Sequence, residues 1–206
     1  MISRGTIRNR IENTCIKTTK TIKNLIYILL VLVFVSCQEE ATPKPAAYLS
    51  LNYQEAEYRI WNNTCPYTFQ INSKAKIESP RLKQYCSYNI SYPTLKGKIH
   101  VTYRAVTNNL EVLLKDAQDL TQEHTIKADG IKSVLYENAT QNAYGMVYEV
   151  EGNAASPVQF YVTDNKKHFL TGSIYFNTKP NYDSILPAAH YLKKDIQKLM
   201  ETLTWK

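Results

Sequence analysis

The chain of 206 residues has little of what most enzyme signatures are built from. There are 6 glycines, 8 prolines and 4 histidines, and no G-x-S-x-G, H-E-x-x-H, Walker loop or G-x-G-x-x-G. The usual serine-hydrolase, zinc-protease, nucleotide and dinucleotide sites are therefore not written locally. The low glycine and proline content also excludes collagenous and low-complexity classes. No apolar run reaches the roughly 20 residues of a spanning helix; one run, Leu25–Val35, has eleven. His100, His124, His168 and His190 are scattered and no close Cys pair exists, so neither a metal nor a cofactor is expected. A hydrophobic content of 44% with 21% charged residues fits a folded domain.

What is present begins with an export signal. Arg4, Arg8, Arg10, Lys17, Lys20 and Lys23 oppose the single Glu12 ahead of Leu25–Val35. That is the order of charge and apolar core in a secretory signal. The run closes on Phe34-Val35-Ser36-Cys37 and turns polar at Gln38-Glu39-Glu40. A small residue directly before Cys resembles the lipobox of bacterial lipoproteins, with Phe34 in place of the usual leucine. That resemblance implies lipidation of Cys37 and a membrane held through acyl chains. The alternative is an uncleaved anchor with Cys37 an ordinary thiol. Gln38, where enterobacterial inner-membrane lipoproteins carry Asp, favours the outer membrane, on its periplasmic face or at the cell surface. Glu39-Glu40 resembles the surface-export signal of some Bacteroidetes lipoproteins and equally reads as a solvated tether.

This segment carries most of the formal charge of +7. Without its six basic residues and one acidic residue, 19 basic side chains face 17 acidic ones, so no nucleic-acid partner is expected. Beyond Cys15 and Cys37 only Cys65 and Cys86 remain. In an oxidising compartment they can form one bridge worth about 3 kcal/mol, or stand as two buried thiols.

Periodicity divides the rest. The expected organisation is a signal over 1–36, a lipidated cysteine and tether over 37–64, and one globular domain over 65–206. Alternation predicts strands at 67–71, 88–92 and 99–105. A helix capped by Asn108 or Asn109 follows, with Leu110, Leu113, Ala117, Leu120 and His124 on one face. Strands are predicted at 131–137, 144–151, 158–163 and 168–176, the last two joined by the turn at Asp164-Asn165-Lys166-Lys167. A second helix, capped by Asp183 or Ser184 with Pro187 in its first turn, buries Ile185, Ala189, Leu192, Ile196, Leu199 and Leu203. The expectation is an α+β fold, an antiparallel sheet of about seven strands covered by two helices. Fifteen tyrosines after the signal supply amphipathic bulk.

Candidate chemistry is sparse. Ser156, His168 and Asp164 can be written as a triad for a periplasmic hydrolase or wall-acting enzyme. The preferred reading makes Asn153, Ala154 and Ser156, with His168, an interaction loop. His124 reads as a histidine at the core edge. Asp183-Ser184-Ile185 resembles the Bacteroidetes O-glycosylation pattern and also reads as a helix cap. Exposed tyrosines leave a glycan- or small-ligand-binding module open.

Several stretches together resemble the gliding-motility lipoprotein GldD family of Bacteroidetes. They are Cys65-Pro-Tyr-Thr-Phe69, Asn109–Asp116, His124–Asp129, Gly152–Phe160, Thr163–Leu170, Gly172–Asn177 and Trp205-Lys206. The segment 46–58 departs, with Ala46-Ala-Tyr-Leu-Ser-Leu51 where a glycine-aromatic-arginine pattern is expected. The resemblance implies an outer-membrane lipoprotein required for gliding and type IX secretion, without enzymatic activity. It further implies partnership with other gliding lipoproteins and secretion components. The order of elements is also similar to the PsbP/Mog1-type sandwich, as an analogy of fold.

Overall fold

A computed structural model describes residues 53–80, 84–123, 128–178 and 181–206, which belong to one compact unit. The expectations for the signal, Cys37 and His124 lie outside the described residues. Strand alternation builds the centre of the domain. Strands β1 (Tyr58–Ile60), β2 (Tyr67–Thr68), β3 (Gln70–Asn72), β4 (Lys76–Glu78), β5 (Tyr88–Tyr92) and β6 (Gly97–Ala105) precede helix α1 (Leu110–Gln122). Then come β7 (Ala128–Asn138), β8 (Ala143–Gly152), β9 (Val158–Thr163), β10 (His168–Phe176), helix α2 (Tyr182–Thr202) and β11 (Thr204–Trp205). Seven strands form one antiparallel sheet in the order β4-β5-β6-β10-β9-β8-β7. The fold is therefore α+β with a seven-stranded antiparallel sheet and two helices.

The helices cover opposite faces. Along β9, Val158, Phe160 and Val162 pack with Leu192, Ile196, Leu199 and Met200 of α2. Tyr161 between them packs with Leu113 of α1 and with Phe169 and Tyr148. The period-2 alternation of a strand buried on both sides thus divides the core in two. Many of the tyrosines are structural: Tyr67, Tyr92, Tyr103, Tyr148 and Tyr161 are all buried.

The structure departs from the sequence expectations in defined places. Residues 67–71 are not one strand of the main sheet. They split into β2, which pairs with β11, and β3, which pairs with β1. The three-residue β4 takes their place at the sheet edge. Residues 53–64, expected in the tether, are built into the domain: β1 pairs with β3, and Tyr53 packs on Tyr191. Helix α2 starts earlier than expected because Asn181, not Asp183 or Ser184, is its cap, its side chain accepting from the Ser184 N–H. Pro187 consequently lies in the second turn, where it cannot donate to the carbonyl four residues back. Asn109 occupies the N-cap position of α1, but its side chain accepts from Thr107 N instead of from the helix. Leu120 is 42% exposed, and Thr121, bonded to Gln159, occupies the buried position beside it. Leu203 is buried as expected, but past the end of α2 as its C-cap.

Candidate functional site

The disulfide lies at one end of the sheet. Cys65 and Cys86 are joined, with their Cα atoms 5.5 Å apart. Tyr67 reaches over the bridged segment and donates its hydroxyl to Cys86 O at 2.6 Å. The carboxyl-terminal strand closes against the same segment. Trp205 pairs with Tyr67, Lys206 N donates to Pro66 O at 2.8 Å, and Lys206 Nζ donates to Asn63 O at 2.8 Å. Three of the stretches that carry the family resemblance, at 65–69, 163–170 and 205–206, meet here.

His168 and Trp205 of these stretches continue into a row of rings with Tyr103 and Tyr85. Tyr85 packs on Tyr103 at 6.2 Å between ring centroids, Tyr103 on His168 at 6.0 Å, and His168 stacks on Trp205 at 5.1 Å. Tyr103 Oη and His168 Nδ1 are 2.8 Å apart. Trp205 Nε1 donates to Asn142 O at 3.1 Å. The turn after β9 holds His168 in place: Asp164 Oδ1 accepts the backbone N–H groups of Lys166, Lys167 and His168 at 3.0, 2.8 and 2.8 Å. Burial raises the Asp164 carboxyl, but the backbone donors outweigh it and hold it below the usual carboxylate value. Burial pushes His168 below the usual imidazole value despite the nearby Asp164. Burial thus favours the neutral ring, which stacks flat on Trp205.

Shallow depressions lie on both sides of the row. One, of about 630 Å³, is lined by Pro66, Gln84, Tyr85, Tyr103, Arg104 and Ala105. The other, of about 460 Å³, includes Gln141, Asp164, Lys166, His168, Trp205 and Lys206. Gln141 Oε1 is buried at its wall and accepts no hydrogen bond from the described residues. Tyr85 is 71% exposed. An exposed tyrosine, a half-buried tryptophan and flanking cations, with one unsatisfied acceptor, make a recognition face in composition.

Ser156 and His168, written together above as loop or triad residues, lie apart in the fold. Ser156 is fully buried and its hydroxyl donates to Val158 O at 3.2 Å. Ala154 is also buried, and Asn153 Oδ1 accepts Tyr182 N at 3.0 Å, bracing the start of α2. His168 sits at the opposite end of the β9–β10 ladder, which runs from Ser173↔Gln159 to Phe169↔Thr163. The strand between them, Val158–Thr163, alone spans about 16 Å at about 3.3 Å per residue. Within Asn153–Ser156 the side chains thus alternate between exposed (Asn153, Ala155) and buried (Ala154, Ser156), and His168 lies on another surface. Among the described residues no hydroxyl or thiol of a serine, threonine or cysteine is hydrogen-bonded to the His168 imidazole. Nor do three or more His, Cys, Asp or Glu side chains cluster there as metal ligands. Ser184 is exposed in the first turn of α2, its hydroxyl donating to Asn181 O.

A second polar cluster lies under α2. Asp195 is buried, yet accepts from Tyr58 Oη at 2.6 Å, Asn72 Nδ2 at 3.1 Å and Tyr92. Burial holds its carboxyl above the usual value against these donors, and Tyr58 and Tyr92 are pushed up by burial and by the carboxylate. A cleft of about 480 Å³ above it is lined by Tyr53, Tyr58, Pro187, His190, Tyr191 and Lys194, among others. The network fastens the entering chain to α2 and satisfies a carboxylate that would otherwise be costly to bury. One signal in the sequence points to it: Asp195 stands three residues after Leu192 and four before Leu199, a charge inside the apolar stripe.

No curated protein matches the chain. The model of the family described as gliding motility lipoprotein GldD matches residues 38–205. The match runs through the disulfide, both helices, all seven strands of the main sheet and the aromatic row to Trp205. The chain belongs to the gliding motility lipoprotein GldD family.

Proposed function

We propose that this lipoprotein is held on the outer membrane through a lipid on Cys37 and serves gliding motility and type IX secretion by contact. Its described domain binds other gliding lipoproteins or secretion components and so assembles or stabilises the machinery. Family membership supports the motility role. Among the described residues no helix is long and apolar enough to cross a membrane, which is consistent with a lipid anchor. The observation that carries the contact mechanism is the Tyr85–Tyr103–His168–Trp205 row, flanked by Arg104, Lys166 and Lys206. Aromatic side chains and arginine concentrate binding energy at interfaces. The hydrolase alternative is disfavoured by the burial of Ser156 and its distance from His168. A glycan-binding role finds weaker support in the cleft over Asp195, where Tyr53 already packs on Tyr191 and Tyr58 is bonded to the carboxylate.

A photocrosslinking residue placed at Tyr85 in the full chain tests this in native membranes. It is expected to trap a defined protein of the motility or secretion apparatus. The same residue at Glu111, on the exposed face of α1, is expected to trap none. Equal trapping from both sites, or none from Tyr85, would remove the row from the mechanism.

A further inference from the structure

The two edges of the main sheet are unequal. β4 is three residues long, carries Lys76 and Glu78 and is followed by Pro80, all features that discourage strand addition. β7 is eleven residues long, pairs with β8 along one side and, among the described residues, has no strand on the other. Its middle is apolar on both faces: Val134 is 44% exposed and Leu135 is 65% exposed. Val134 lies opposite Val147, on the α2 face, and Leu135 opposite Met146, on the α1 face. A strand added along β7 would cover both side chains at once.

We propose that this edge binds a second copy of the chain, β7 against β7, antiparallel, with the two-fold axis at Leu135. The β7 sequence, Ala-Asp-Gly-Ile-Lys-Ser-Val-Leu-Tyr-Glu-Asn, is self-complementary in that register alone among its neighbours. Leu135 meets its copy on one face, and Val134 meets the partner's Tyr136 twice on the other. Outside this apolar centre Ser133 faces Glu137 and Lys132 faces Asn138, so no like charges are opposed. Centring on Ser133 would set Asp129 against Glu137, a like-charge pair. Centring on Val134 would set Ile131 against Glu137, and centring on Tyr136 would set Leu135 against Glu137. Directly opposed apolar pairs stabilise sheets and opposed like charges destabilise them. An isologous contact of this kind closes on itself, giving a dimer with a continuous fourteen-stranded sheet instead of a filament.

The test uses the full lipoprotein, in membranes and after detergent extraction. The two residues at position 135 would face each other with Cβ atoms about 4.5–5.5 Å apart. Leu135→Cys is therefore expected to give a disulfide-linked dimer on mild oxidation, while Ser133→Cys gives none. Leu135→Lys is expected to weaken the dimer about tenfold or more, by burying two like charges where two leucines met. Mixing the Leu135→Lys and Leu135→Glu proteins is expected to restore it. A monomer at all concentrations would overturn the proposal. So would a Leu135→Cys link to a different protein, a Ser133→Cys dimer in its place, or a dimer indifferent to Leu135→Lys.

Discussion

Replacing Cys37 with alanine is expected to move this protein from the membrane fraction into the soluble one and to abolish gliding with it. Each buried methylene of an acyl chain contributes about 0.8 kcal/mol, and several chains together hold a protein firmly on a bilayer where one binds marginally. The eleven-residue run Leu25–Val35 is too short to substitute as a span, and no helix among the described residues is long and apolar enough to do so. Fractionation and a spreading-colony assay on the same strain check the result. If the Cys37→Ala protein still partitions fully into membranes, the uncleaved-anchor reading is correct and the lipid has no part in localisation.

The second large effect is on stability. A Cys65→Ser/Cys86→Ser protein is expected to lose about 3 kcal/mol, the value for a closed loop of this size. For a domain of this length that lowers Tm by roughly 6–12 °C. The closed loop contains β2 to β4 and ends at β5, so its release loosens everything between the entering chain and the sheet. Cys86 also has φ 50, a left-handed conformation uncommon for a residue with a side chain. The bridge and the Tyr67 hydroxyl hold it there. Because Tyr85 adjoins this residue, the reduced protein should also lose contact activity before it unfolds. Thermal melts of the double variant and of dithiothreitol-treated parent protein should agree. A loss below about 1 kcal/mol would mean that the packing of Tyr67, Tyr103 and Trp205 holds this end of the sheet without the bridge.

The long strands and both helices were legible because each buries a repeating set of side chains. Gly97–Ala105 alternates cleanly, Val158–Thr163 is a short run buried on both faces, and the stripe from Ile185 to Leu199 has the helical period. The two- and three-residue strands β1, β2, β4 and β11 were not, since alternation needs more residues than they have. Splitting 67–71 between two partners is a tertiary decision that no local pattern records. The site was legible only in pieces. The row-forming neighbours of His168, namely Tyr103, Tyr85 and Trp205, come from three distant segments and meet only through the fold. A serine before a proline in a loop looks accessible, whereas Ser156 is fully buried and its hydroxyl is bonded to Val158 O. Asp195 was readable as a charge in an apolar stripe; its partners Tyr58, Asn72 and Tyr92 were not.

We propose contact through the aromatic row at the disulfide end as the way this domain acts. Tyr85→Asp combined with Lys166→Glu changes only exposed side chains of that surface and leaves its supporting hydrogen bonds in place. The decisive measurement is colony spreading together with secretion of a type IX cargo in cells carrying this double variant. Protein level and membrane partition are monitored in the same cells. The expected result is loss of both activities with normal abundance and location, while Ser156→Ala cells glide and secrete normally. Full gliding and secretion by the double variant, with loss in the Ser156→Ala strain, would contradict the contact mechanism.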